Sequence, residues 1–175
     1  MNKILAFAAL GLSGVLMSHT DPTSTTSGGI KWLSWQEAME QSKVTPKKIF
    51  VDVYTDWCGW CKKMDATTFQ DPGVIQFMNE NFYSVKLNAE MKEEIQFNNQ
   101  TFKWVSAGRN GVHTLAYSLL EGKMSYPSFV TLNESYDRIA IMPGYKQPEQ
   151  LLRELKFAAE EVYKEKSWDE YKANN

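Results

Sequence analysis

Ile49-Phe50-Val51-Asp52-Val53-Tyr54-Thr55-Asp56-Trp57-Cys58-Gly59-Trp60-Cys61-Lys62-Lys63 is the stretch on which the fold turns. Residues 49–54 are β-branched and aromatic, the composition of a strand buried on both faces. Asp52 is the exception inside it, because a carboxylate in a core strand is costly unless neutral or paired. An acid turned to solvent at a strand end is the competing reading. The chain has 2 cysteines, and they follow this strand directly. Lys62 to about Phe69 reads as a helix, with Met64 and Phe69 available for packing. Cys58 therefore stands where a strand ends and a helix begins.

That placement carries chemistry. The thiolate is the reactive form of cysteine, and unpaired N–H groups at a helix start stabilise an anion. Cys58 is expected to be the exposed, low-pKa attacking thiol, with Lys62 and Lys63 adding positive charge one turn on. Cys61, one turn into the helix, is expected to be more buried and to resolve a mixed disulfide formed at Cys58. The spacing also closes a Cys58–Cys61 disulfide easily. An inert structural bridge is the alternative, but so small a loop constrains little of the unfolded chain. A structural zinc site needs four ligands; the chain offers this pair plus His19 and His113. No metal is expected.

Working outward, Ile30 to Leu33 reads as an edge strand. Ser34-Trp35-Gln36-Glu37 is a capping box that starts a helix running to about Val44. Asp71-Pro72 opens another helix, ending near Asn81. Phe82 to Leu87 is a second core strand. Phe102 to Val105 reads as a short strand, Gly108 to Gly111 as a turn, and Val112 to Leu120 as a helix. His113, inside that helix, is expected to be a surface or packing histidine. Ser128 to Leu132 and Arg138 to Met142 form a hairpin about a turn at 133–137. Gln147 to about Trp168 is one long closing helix. Strand–helix–strand units imply parallel pairing with a right-handed crossover, and the hairpin adds antiparallel strands. The sum is a mixed sheet with helices on both faces and one core.

The first residues read as an address. Lys3 is followed by residues 4–17 without a charge, the pattern of an export signal. It is short for a membrane span, although an uncleaved anchor is the competing reading. The expected organisation is a signal peptide at 1–18, a Thr/Ser/Gly-rich flexible linker at 19–29, and one folded domain at 30–170. A formal net charge of −2 gives no footprint for nucleic acid.

Together these residues resemble the thioredoxin superfamily over most of Ile30 to Trp168. The segment Phe50 to Lys62 is similar to that family's strand, tryptophan, CxxC and lysine in unbroken register. Val85-Lys86-Leu87-Asn88 resembles its central strand, Tyr126-Pro127-Ser128 its cis-proline loop, and Gly144 its glycine before the closing helix. Trp57-Cys58-Gly59-Trp60-Cys61-Lys62-Lys63-Met64 with Phe69-Gln70-Asp71-Pro72 resembles exported bacterial thioredoxin-like, thiol:disulfide interchange proteins.

The resemblance implies an α/β thioredoxin fold, a central mixed β-sheet flanked by helices, with an insertion at 90–123 before the cis-proline strand. It implies that Asp52 is a buried acid beneath Cys61 that moves a proton to or from it, with Lys86 as its partner. It implies a cis bond at Pro127 that presents Tyr126 beside Cys58 to an extended substrate. Trp57, Gly59 and Trp60 are then substrate-contacting residues, although core packing competes as a role for Trp57. The implied function is a thiol–disulfide oxidoreductase of exported proteins, taken as a reductase. A periplasmic oxidant or isomerase and a non-enzymatic, chaperone-like polypeptide-binding module are the alternatives. No cofactor beyond the redox-active disulfide is expected. The expected partners are disulfide-containing exported proteins and a membrane electron donor, with the chain a monomer in the periplasm of a Gram-negative bacterium. Gly59-Trp60 replaces the Gly-Pro of reducing thioredoxins and the Pro-His of the strong periplasmic oxidant, so the family's redox potential does not carry over.

Overall fold

The computed structural model describes residues 28–173. The expected export signal, and all but the last two residues of the expected linker, lie outside the described residues. The described chain opens with β1 (Trp32–Leu33) and α1 (Trp35–Val44). The capping box is formed: Ser34 Oγ accepts the Glu37 N–H, and Glu37 Oε2 accepts the Ser34 N–H at 2.7 Å. β2 (Lys48–Tyr54) is buried at every position but the last. α2 (Gly59–Ala66) follows, and a short 3-10 turn at Thr68–Gln70 links it to α3 (Pro72–Asn81). Asp71 Oδ1 caps α3 by accepting the Val74 N–H at 3.0 Å. β3 (Phe82–Asn88) completes the crossover.

The sheet order is β1-β3-β2, then β8 (Ser128–Leu132) and β9 (Arg138–Pro143). β1 and β2 both run parallel to β3, whereas β8 is antiparallel to β2 and to β9. Helices cover both faces, as expected. The sheet divides the expected single core into two clusters, because alternate residues of a strand point to opposite faces. Ile49, Val51 and Val53 face one cluster with Trp35 and Leu115, whereas Phe50 faces the other with Met64, Met78 and Leu151. Phe50 and Phe129 stack at 5.5 Å in the second cluster, worth about 1 kcal/mol beyond their burial.

Between β3 and β8 the chain makes β4 (Ile95–Phe97), β5 (Gln100–Phe102), β6 (Trp104–Val105), β7 (Val112–His113) and α4 (Thr114–Leu119). Two expectations change here. The strand read at 102–105 is broken at Lys103, whose N–H goes to Thr114 Oγ1 at 2.9 Å. The helix read from Val112 begins only at Thr114. Val112 and His113 instead pair antiparallel with β6, and the His113 Nδ1 caps the helix by accepting the Leu115 N–H. A third change lies at the end. The expected continuous closing helix stops as α5 (Pro148–Ala159), because Glu161 turns left-handed at φ 60°. A second short helix, α6 (Trp168–Ala173), starts afresh at Ser167, whose Oγ and N–H exchange bonds with Glu170.

Gly111 fixes the turn between β6 and β7. Its φ of +74° favours glycine, and a Cβ there would sit 2.2 Å from the Trp104 ring. Gly111→Ala is expected to lower stability by at least about 1 kcal/mol from the backbone alone, with Trp104 displaced as well. A reduced urea midpoint with altered tryptophan emission checks this, and an unchanged midpoint would contradict the close Trp104 contact.

Candidate active site

Cys58 and Cys61 form a disulfide with a Cα–Cα distance of 5.3 Å. Cys58 is the N-cap of α2, which begins at Gly59, so the pair stands at the helix start as the sequence suggests. The Cys61 N–H points at Cys58 Sγ at 3.1 Å. A free donor at a helix start favours charge on that sulfur once the disulfide opens. The Cys58 N–H is bonded to Thr55 O at 3.1 Å, which turns the chain sharply off the end of β2. The expected difference in exposure is absent. Cys58 and Cys61 are both 4% exposed, because the disulfide draws the two sulfurs together under neighbouring side chains.

Asp52 lies in the middle of β2 with its side chain 2% exposed, which removes the solvent-facing alternative. It stands opposite Lys86 on β3 and Phe129 on β8. Asp52 Oδ2 is 3.1 Å from Lys86 Nζ, and its Oδ1 has no hydrogen-bond partner among the described residues. Lys86 also binds Asp65 on α2, and its ammonium lies 5.0 Å from the rings of Trp32 and Tyr54. Burial pushes the Asp52 carboxyl from 3.8 up to about 6; Lys86 opposes that shift and Asp65 adds to it. Burial pulls the Lys86 ammonium down, but the two carboxylates outweigh it and hold Lys86 above the ordinary lysine value.

Aromatic side chains flank the pair. Trp57 is 60% exposed and Trp60 62%, so core packing does not account for Trp57. The Trp57 ring meets Tyr126 edge-on at 5.8 Å, and Trp60 meets Tyr145 at 5.4 Å. The Tyr126–Pro127 bond is cis, and the Gly144 N–H bonds to Pro127 O at 2.8 Å. The loop after β9 is tied to α2 and to the 3-10 turn after it: the Lys146 N–H reaches Met64 Sδ, and Lys146 O accepts the Thr68 hydroxyl at 2.6 Å. Gly59 has open space about its Cα, leaving its backbone accessible beside the disulfide.

Four neighbours of the site were not anticipated. Asp65 lies four residues after Cys61 on one helix, a spacing that shares a face and was readable. Tyr145 follows Gly144 directly, and its contact with Trp60 had no sequence signal. Glu90 and Asn110 reach the site from the insertion across long chain separations. His113 is fully buried there. Its Nδ1 accepts a hydrogen bond, so its Nε2–H donates to Glu93 O at 3.0 Å, and burial lowers its pKa. Among the described residues no group of three His, Cys, Asp or Glu side chains is placed to hold a metal.

Comparison with known proteins finds a family model described as Thioredox_DsbH, Protein of unknown function, DUF255, matching residues 20–156. Spermatogenesis-associated protein 20 of Rattus norvegicus is 31% identical over 83 residues, 47% of this chain and 10% of that protein. An uncharacterized protein of Archaeoglobus fulgidus is 30% identical over 92 residues, 52% of this chain and 67% of that protein. The matched segment thus spans only about a tenth of the animal relative. Among solved structures, a DsbH oxidoreductase superposes with a TM-score of 0.56 at 20% identity, covering 85% of this chain and 95% of that one. A putative disulphide-isomerase from Bacteroides thetaiotaomicron gives 0.52 at 24% identity, covering 75% and 92%. At these identities the likeness is one of fold.

The buried carboxyl makes stability depend on pH. A folded pKa of about 6 against 3.8 means the folded state holds the Asp52 proton more tightly. Stability is therefore lost as pH rises from about 4 to about 6, by about 3 kcal/mol at most. Asp52→Asn is expected to gain on the parent over that window and hold its advantage above it. Denaturant midpoints measured at several pH values test this; a difference that is flat with pH would contradict a buried, proton-holding Asp52.

Proposed function

The chain belongs to the DUF255 family described as Thioredox_DsbH, within the thioredoxin superfamily, and on that premise we propose that it is a thiol–disulfide oxidoreductase working through Cys58 and Cys61. The observation that carries this reading is the disulfide at the first turn of α2, with the Cys61 N–H aimed at Cys58 Sγ. A structural staple of this size would stabilise little.

In the reducing direction, the Cys58 thiolate attacks one sulfur of a substrate disulfide. A Cys58–substrate bond forms, and the other substrate sulfur leaves as a thiolate that takes up a proton. Cys61 then loses its proton to Asp52, directly or through water, and attacks Cys58 Sγ. The mixed disulfide breaks, the second substrate thiol departs, and the Cys58–Cys61 disulfide holds the oxidised state. Two electrons have moved to the substrate, and a dithiol donor at the membrane must restore them. Asp52 suits the proton step because it lies on the sheet face that α2 covers and because Lys86 bridges it to Asp65 of that helix. Above about pH 6 Asp52 is charged and ready to accept the proton.

Reduction is favoured over oxidation on electrostatic grounds. Strong oxidants stabilise their thiolate heavily. Here a charged Asp52 opposes further negative charge at the pair. Exported, disulfide-containing proteins are the proposed substrates, on the strength of the uncharged residues 4–17. The exposed Trp57 and Trp60 beside the cis loop at Pro127 suit an extended polypeptide. Among the described residues no helix is long and apolar enough to cross a membrane.

Three measurements test this. Cys58→Ser is expected to abolish disulfide exchange, and Cys61→Ser to trap substrates as mixed disulfides; retained function in Cys58→Ser would point to a passive binding module. The reduction potential, equilibrated against glutathione, is expected nearer to about −270 mV than to about −120 mV. The resolving step should slow as pH falls through about 6, and Asp52→Asn should slow it without that dependence.

A further inference from the structure

The wall of the site next to Cys58 is completed from the insertion. Glu90 Oε1 accepts the Trp57 Nε1–H at 2.9 Å and the Asn110 Nδ2 amide at 3.1 Å. The Glu90 N–H is itself held by Asn88 Oδ1 at 2.9 Å. Asn110 is fixed in turn, because its carbonyl accepts the Trp104 Nε1–H and Gly111 lies against the Trp104 ring. The carboxylate is thus anchored on both its backbone and its side chain.

Both donors to Glu90 are neutral, and among the ion pairs of the described residues none involves it. The Lys92 ammonium lies over the Trp104 ring instead, and Glu90 thus stands at the rim of the aromatic wall without an ion-pair partner among the described residues. Its field is felt within that wall: the Tyr126 phenol is pushed up to about 12, first by burial and then by Glu90. A charge that is fixed but unpaired, beside half-buried rings, attracts a cation more strongly than one loose in water and repels an anion.

We propose that Glu90 is a specificity-determining residue that selects disulfide substrates carrying a lysine or arginine beside the cystine attacked by Cys58. This rests on the exchange function assigned above to Cys58 and Cys61. The chemistry recognised is a cationic side chain on a polypeptide whose disulfide reaches the Trp57 side of the pair. An acidic neighbour at the same place is disfavoured.

The test uses the full chain in its dithiol form. Three synthetic peptides, each with one internal disulfide, differ only in Lys, Gln or Glu beside the first cysteine. The expected kcat/KM for the Lys peptide exceeds that for the Glu peptide by roughly fivefold at low ionic strength, chiefly through KM, and the ratio shrinks as salt is added. Glu90→Gln keeps an acceptor for the Trp57 indole but removes the charge, so the ratio should fall to about one. Glu90→Lys should invert it. Equal kcat/KM for the Lys and Glu peptides in the parent, or an unaltered ratio in Glu90→Gln, overturns the assignment of Glu90 alone. Failure to reduce even the Gln peptide overturns the exchange function, and this inference with it.

Discussion

A carboxylate set inside the central strand is the constraint to which the rest of the molecule answers. Asp52 can occupy β2 only because Lys86 faces it across the parallel pairing of β2 with β3. Lys86, in turn, is shared with Asp65 on α2. One ammonium thus joins the sheet, its neighbouring strand and the helix that carries Cys61. The sharing leaves Asp52 undercompensated, since a cation divided between two acids offsets neither completely. The pair is poorly suited to adding stability, because burying charge costs more than a single contact returns. Its place in the core fits the proton step proposed for it at the helix above.

The rest of the architecture determines who reaches the disulfide. The loop after β9 bonds to Met64 of α2 and to Thr68 of the 3-10 turn that follows, and so presents Tyr145 to Trp60. The cis loop places Tyr126 against Trp57 from the opposite side. The insertion joins this wall at two levels. Its backbone continues from the strand ends, with the Ala89 N–H on Tyr54 O and the His113 N–H on Ala89 O. Its side chains reach the CxxC motif through Glu90. Under the proposed exchange function, the helix start and the central acid would act on the sulfurs, and the aromatic walls and the insertion on access.

Much of this was legible in sequence because the signals are local. The capping box at Ser34, the Asp71-Pro72 helix start and the β-branched run at 49–54 each state their structure within a few residues. The ion pair between Asp52 and Lys86 was also foreseen, since an acid in an apolar strand demands a partner. Other local signals were present and went unread. Asn98 and Asn99 both take positive φ in the tight turn between β4 and β5, which Asn-Asn favours. Ser167 with Glu170 is a capping box that restarts the chain as α6. The break before it was less visible, because Lys48 Nζ bonds to Glu161 Oε1 across more than a hundred residues. The Glu90–Trp57 contact is non-local in the same way: nothing near Glu90 distinguishes it from any surface glutamate. The equal burial of the two cysteines was missed because it depends on the side chains packed around them, not on their position along the helix.

That burial has a kinetic meaning. Cys58 and Cys61 are each only 4% exposed in the disulfide, while the neighbouring Trp57 and Trp60 are largely open to solvent. A small thiol colliding from water finds little exposed sulfur for the in-line approach that exchange requires. A polypeptide brings apolar surface of its own, and can trade contacts with the indoles as it enters. Under the proposed exchange function the arrangement acts as insulation around a contact: the oxidised pair is shielded from the surrounding pool of small thiols. Selectivity is then written into the accessibility of the bond as well as into its potential.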